Sequence, residues 1–182
     1  MGGVLRVVTA NVNGIRAAQR RGFGAWLAGR APDLLCLQEV RADDPTLFGV
    51  VGDGWRGVHQ ESSVKGHAGV AVLARAAAVE VRAGLGEFSA VGRWVEADHV
   101  VSDGRTLTAV SAYVPKGETG TAKQDEKYRF LDLVRERLDK LAADDRHVLV
   151  CGDVNIAHRQ VDLKNWKGNL DHAGFLPQER AW

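Results

Sequence analysis

The stretch HVLVCGDVNIAH, residues 147–158, decides how this chain is read. Its first half is a short apolar, β-branched run, the pattern of a buried strand, and the carboxyl ends of strands in open α/β sheets carry the ligand-binding loops. Asp153 and Asn155 would then stand two residues apart at a sheet rim, where chemistry is usually done. Gly-Asp and Asn are also common turn formers that satisfy their own local backbone. Taken alone, the stretch fits a plain turn as readily as a reaction site, so the rest of the chain has to decide.

Upstream, DEKYRFLDLVRERLDKLAA (125–143) carries Tyr128, Leu131, Val134, Leu138 and Leu141 at helical spacing, which predicts a helix with one apolar face. Further back, LRVVTANV (5–12) and DLLCLQEV (33–40) predict strands, with a helical segment from Ile15 to Leu27 between them that Gly29 and Pro32 end. From Trp55 to Val114 the runs GVAVLAR, RWVEADHV and RTLTAVSAYV are divided by Gly and Asp-Gly turns, and consecutive strands without helices predict antiparallel pairing. A polar loop is expected over 159–174. In FLPQERAW (175–182), Pro177 followed by Gln178 and Glu179 is a helix-start signature. Mixed sheets with outer helices form a layered α/β sandwich.

The 182 residues, 45% hydrophobic and 26% charged, suffice for one sizeable core, so one domain over 1–182 is the default. A net charge of +1 gives no bulk attraction to phosphate, so any nucleic-acid contact has to come from a local basic cluster. Cys36 and Cys151 each sit in an apolar strand at a spacing that matches no zinc or disulfide framework, and read as core thiols of a reducing compartment. The start MGGVLRVV has no long apolar stretch, and Arg6 stands where a myristoylation pattern wants Ser or Thr. A cytoplasmic protein without membrane attachment is the expectation.

Three predicted strands end in polar residues of one kind: Asn11 and Asn13 after the first, Glu39 after the second, Asp153 and Asn155 after the last, while Tyr113 closes LTAVSAY. Oxygen-rich clusters with one or two carboxylates suit magnesium, which keeps several waters and takes further ligands from a substrate phosphate. No Gly-rich phosphate loop, G-x-S-x-G or histidine pair at metal-ligand spacing competes. The residues therefore point to metal-assisted phosphodiester chemistry.

The blocks TANVNGIR, LLCLQEV, KGHAGVAVLAR, SAYVPKG and CGDVNIAHRQVDLKNWKGNLDHAGFLPQERAW, in this order and at these separations, resemble the exonuclease III and apurinic/apyrimidinic (AP) endonuclease family of the deoxyribonuclease I-like superfamily. The resemblance runs from Leu5 to Trp182, and its last block belongs to the DNA-repair branch. It implies a four-layer α/β sandwich of mixed, largely antiparallel sheets. It also implies Mg2+-dependent (Mn2+ as an alternative) cleavage of the DNA backbone 5′ to abasic sites, with 3′ to 5′ exonuclease and 3′-end phosphodiesterase activity. Its partner would be double-stranded DNA with abasic sites or 3′ ends, met by a protein that is a monomer in its full-length form and associated with the nucleoid through that DNA.

Carried over residue by residue, the resemblance makes Glu39 the principal metal ligand and Asn11 an organiser of the metal and its waters. Asp153 becomes the group that activates or orients the attacking water, Asn155 its hydrogen-bonding partner, and Tyr113 a contact to the scissile phosphate. A deprotonation of this kind needs a carboxylate held near the reacting water, with its pKa set by its surroundings. A phenol also has an apolar body, so Tyr113 can pack the strand end as well. Lys127 falls where some bacterial members place a phosphate-binding lysine, and a solvated helix face is its other reading. Arg16, His67, Arg93, Lys116, Asn165, Lys167 and Asn169 lie in stretches that line the duplex in the family, where phosphate contacts supply affinity without base reading. Trp166 departs from the proline or small residue of several relatives, and a tryptophan flanked by lysines can stack on DNA or cover the loop base.

Family members are typically longer by roughly half of a small domain, and the further segment holds an aspartate-bearing strand and a closing S-D-H triplet. None of the six histidines here lies in such a context, so the expectation is a C-terminally incomplete domain. Two other readings stay open: the same chemistry on a non-DNA phosphoester, and a catalytically silent DNA-binding module.

Overall fold

The computed structural model describes residues 4–182, so the MGG start lies outside the described residues. Strands β1 (Val7–Asn11) and β2 (Leu34–Gln38) run parallel, β4 (Val70–Ala74) lies antiparallel to β2, and β3 (Arg56–Gln60) closes this sheet in the order β1-β2-β4-β3. The second sheet has the order β5-β6-β7-β8, from β5 (Glu80–Ala83), β6 (Trp94–Val100), β7 (Thr106–Tyr113) and β8 (His147–Asp153), with only the last pair parallel. Between Trp55 and Val114 the consecutive strands β3–β4, β5–β6 and β6–β7 pair antiparallel as expected, while β4 and β5 fall in different sheets.

Strand alternation explains the layering. Leu35, Leu37, Ala71 and Leu73 face one side and pack with Ile15, Leu27 and Leu47, from helices α1 (Ile15–Arg20), α2 (Phe23–Arg30) and α3 (Asp44–Val51). Their neighbours Leu34, Cys36, Val70 and Val72 face the other sheet and meet Val95, Ala97 and Ala109. On the far side of the second sheet, Trp94, Val110 and Ala112 pack against Phe130, Leu131, Val134 and Leu141 of α4 (Ala122–Ala142). Three apolar interfaces make four layers: helices, sheet, sheet, helix. Each fully buried Leu or Val contributes about 1.5–3 kcal/mol. The sheets are also stitched by polar bonds, since the Ser111 hydroxyl donates to the Leu37 carbonyl at 2.8 Å and the Gln38 amide donates to Ser111 at 3.0 Å.

Four sequence expectations need correction. The helix over 15–27 is two helices, because Gly22 adopts a left-handed φ of 91° that ends one and starts the next; Gly29 lies inside α2, and Ala31, also left-handed, ends it. The strand β8 is not buried on both faces: it is the last strand of its sheet among the described residues, and Val148 and Val150 on its outer face are exposed. Helix α3 lies in a segment with no predicted element, although Asp43 caps it by accepting from the Thr46 amide at 3.1 Å and a proline stands in its first turn. Helix α4 begins three residues earlier than its apolar pattern, at the Thr121 cap. The 159–174 loop holds two short 3-10 turns, and Pro177–Ala181 is helix α5.

Candidate active site

The ends of β1, β2, β7 and β8 meet on one rim, because β1 runs with β2 and β7 with β8. Asn11, Tyr113 and Asp153 are the last residues of their strands, and Glu39 follows β2 directly. Glycine at 152 is required there: a Cβ would collide with the Ala112 carbonyl oxygen of the paired strand. So the CGD sequence lets β8 lie close on β7 immediately before Asp153.

The Asn11 side-chain amide spans the two sheets, donating to Glu39 Oε1 at 2.9 Å and to Asp153 Oδ2 at 2.8 Å, while its own oxygen accepts from the Asn13 amide at 3.0 Å. Glu39 also pairs with the Arg41 guanidinium, and the Tyr113 phenol stands beside it. Asp153 Oδ1 accepts from the Asn155 amide at 3.0 Å, and the Asn155 side chain donates to the Val114 carbonyl at 3.0 Å. The Arg93 guanidinium lies 4.8 Å from the Tyr113 ring centroid and donates to the Tyr113 carbonyl. Burial pushes the Glu39 carboxyl up, but the bonds from Asn11 and Tyr113 and the charge of Arg41 outweigh it and hold its pKa below the usual range. Burial, with the bond to and charge of Glu39, pushes the Tyr113 phenol up, so it stays protonated and able to donate.

Asn13, Glu39, Arg41 and Asn155 all adopt left-handed φ between 46° and 52°. Each such residue costs of order 1–3 kcal/mol, and strain of this kind gathers where function demands a fixed geometry. Here four of them surround one pair of carboxylates.

The other sequence candidates fall into groups. Arg93, Lys116 and Asn169 line a groove of about 760 Å³ beside Tyr113, joined by Lys123 and His172. Arg16 and His67 line a second, smaller recess of about 240 Å³ with Arg41 and Lys65, and Arg16 is tied to Thr46 and Asp43 at the start of α3. Asn165 and Lys167 are exposed on the 3-10 turn at 166–169 and line neither cavity. Trp166 on the same turn is half-buried, with Lys167 Nζ 5.6 Å from its ring. Lys127 is a correction. It is neither a phosphate ligand nor on a solvated face, being fully buried with its ammonium 2.6 Å from Glu179. The α4 pattern places it inside because it lies one turn before Leu131, on the buried side.

Arg41 was not legible as a site residue. Its only signal is its place two residues after Glu39 in LQEVR. The Glu39 and Asp153 carboxylates, held together by the Asn11 amide nitrogen, offer hard oxygens of the kind that suit magnesium or manganese. A separate group, Asp44, His59 and Glu61, brings one ligand atom from each within 4.8 Å of the others. Its His59 Nδ1 already bonds Asp44 at 2.6 Å, and Glu61 accepts from the Asp44 amide. Among the described residues no helix is long and apolar enough to cross a membrane.

Residues 8–182 match the model of the Endonuclease/Exonuclease/phosphatase family. The zebrafish (Danio rerio) DNA repair nuclease APEX1 is 34% identical over 97% of this chain, which spans 57% of that relative's length. An exodeoxyribonuclease of Bacillus subtilis is 28% identical over 97% of the chain and 68% of its own length. Among solved structures, an AP endonuclease from Archaeoglobus fulgidus superposes with a TM-score of 0.80 at 27% identity, covering 98% of this chain and 68% of that one. Fold, strand-end cluster and sequence thus converge: the chain belongs to the Endonuclease/Exonuclease/phosphatase family, and the relatives it matches there are exodeoxyribonucleases and AP endonucleases.

Proposed function

We propose that this chain carries the hydrolytic centre of a DNA-repair nuclease that cuts the phosphodiester backbone 5′ to abasic sites and trims 3′ ends, with Mg2+ or Mn2+ as cofactor. The observation that carries the reading is the Asn11 amide shared between Glu39 and Asp153, which brings carboxylates from two different sheets to one point beside a phenol and an arginine. Names of relatives support the substrate class: a DNA repair nuclease and an exodeoxyribonuclease.

A divalent cation bound by Glu39 would supply charge for a phosphate oxygen and a polarised water. The protein's own part follows from the bonds on the rim. Asp153 has one oxygen on Asn11 and the other on the Asn155 amide, which fixes its carboxylate plane for orienting an attacking water and accepting its proton. Asn155 is held in turn by Val114. The protonated Tyr113 phenol can donate to a phosphate oxygen, and Arg93 stacked on its ring keeps positive charge on the same side. The groove lined by Arg93, Lys116 and Asn169 offers the backbone contacts that a sequence-blind enzyme needs.

The test is incision of a duplex with a single abasic site by the purified chain, with magnesium and with chelator, alongside Glu39→Gln. Metal-dependent nicking that Glu39→Gln abolishes supports the reading. Nicking that persists in chelator, or a chain that hydrolyses a non-DNA phosphoester but never abasic duplex, overturns it.

A further inference from the structure

Lys127 and Glu179 lie 52 residues apart, on α4 and α5, and both side chains are fully buried. The ammonium uses all three of its donors inside the protein: 2.6 Å to Glu179 Oε1, 2.9 Å to the Asn155 carbonyl and 3.2 Å to the Lys116 carbonyl. None remains for a substrate phosphate. Glu179 is as fully occupied, because Oε1 also accepts from Gln124 Nε2 at 3.0 Å and Oε2 accepts the amides of Gly174 at 2.6 Å and Leu176 at 3.1 Å.

Stability alone is a poor reason for such a pair, since well-packed apolar side chains of similar volume usually serve as well or better. What an apolar pair could not do is hold named backbone groups at fixed positions. The groups held here belong to the loops that build the rim. Lys116 follows Tyr113 by three residues, and Asn155 is the partner of Asp153. Gly174 is bonded both to Glu179 and, through its carbonyl, to the Ala157 amide at 2.8 Å. Asn155 thus has its amide on Asp153, its side chain on Val114 and its carbonyl on Lys127, which holds it in the left-handed conformation that few residues adopt unaided. The loop is pressed against the pair as well: a Cβ at Gly117 would stand 2.5 Å from Gln124 Oε1 and 3.0 Å from Lys127 Cδ.

We propose that the buried Lys127–Glu179 pair is a strut that sets the loops of Lys116 and Asn155, making both residues positioning residues for the hydrolysis at Asp153. This rests on the function proposed above. It assigns Lys127 no contact with substrate.

The neutral double variant K127M/E179Q removes both charges together and keeps an acceptor for the Gly174 and Leu176 amides. Measured well below its melting temperature on abasic duplex, it should lose about 30-fold or more in kcat with KM nearly unchanged, because misplacement of a reacting group costs turnover rather than binding. Amide exchange over residues 155–157 should accelerate about tenfold relative to the centre of α4, reflecting local opening of the loop. K127R, which keeps the charge against Glu179, should recover most of the turnover. A folded K127M/E179Q with parental kcat and parental exchange over 155–157 overturns the strut. In the unmodified protein the amides of Ala157, Gly174 and Leu176 should open with one common rate, and independent opening overturns the strut without any variant. If the parent chain cuts no DNA, the functional reading fails, while the exchange measurements still decide the strut.

Discussion

Two pairs of carboxylates in this protein stand on or just after strands, and they are treated in opposite ways. Glu96 and Asp98, on β6 under α4, are buried and saturated. Glu96 takes Arg82, both bonds of an Arg137 fork and the Trp94 indole, all between 2.6 and 2.8 Å. Asp98 takes Arg82, Thr108 and Arg146. Glu39 and Asp153 stand at strand ends, share one neutral amide, and have a single guanidinium between them, that of Arg41. The first pair has its charge cancelled and its lone pairs spent. The second keeps net negative charge at the rim, two carboxylates against one guanidinium, which is what a cation requires. Counting acids on a strand would not separate them; counting their guanidinium partners, three against one, does.

Variants can test that contrast, beginning with the largest effect. Glu96→Ala leaves Arg137 and the Trp94 indole without their shared partner, while Arg82 keeps Asp98 and Glu80, and should cost about 3 kcal/mol, read as a fall in thermal or denaturant midpoint. A loss below about 1 kcal/mol would show that α4 docks without the network.

Glu39→Gln should reverse the pattern. Incision of abasic duplex should fall roughly a hundredfold or more, near 3 kcal/mol of transition-state stabilisation, while the melting point stays close to that of the parent. If instead the melting point collapses, the rim carboxylate belongs to the fold rather than to the chemistry.

The pH dependence should come mainly from the saturated pair. Burial raises the Glu96 pKa, but the bonds from Arg137, Arg82 and Trp94 win and lower it to about 2, against an ordinary 4.5. A carboxyl with a depressed folded pKa stabilises fully above its unfolded value and loses that contribution as pH falls toward the folded one. Acid destabilisation should therefore develop between about pH 4.5 and 2, by roughly 3 kcal/mol at most. Glu96→Gln should flatten that limb in an acid titration followed by circular dichroism. An unchanged slope would mean that other acids control it.

The smallest expected effect is at Tyr113→Phe, which removes one donor and leaves the ring under Arg93. About a tenfold loss of turnover, near 1.4 kcal/mol, with unchanged stability is expected from steady-state kinetics. A loss confined to stability would make the tyrosine a packing residue only.

The layered sandwich was legible because alternation and apolar runs report directly on which faces are buried, as in Leu34 to Leu37 and Val70 to Leu73. The strand-end polar residues were legible too, since a polar residue closing an apolar run is a local signal. Less visible was whatever depended on a neighbour. Nothing in DEKYRF says that Lys127 faces inward to meet Glu179. Lysine at a helix position reads as solvated because burial without a partner is prohibitive, and the partner lies 52 residues away.

By itself the sequence determined the order of the main strands and of helix α4, the apolar faces and the chemical kind of each strand-end residue, because these follow from local steric preference and the period of the side chains. Only the tertiary structure decided that the Asn11 amide would bridge Glu39 and Asp153, that Arg41 would join them, and that Lys127 would hold the Asn155 loop. Those choices are made by which sheet edges and helices come to rest together. Bonds between residues tens of positions apart have no counterpart in local propensity; they exist only after the layers have packed.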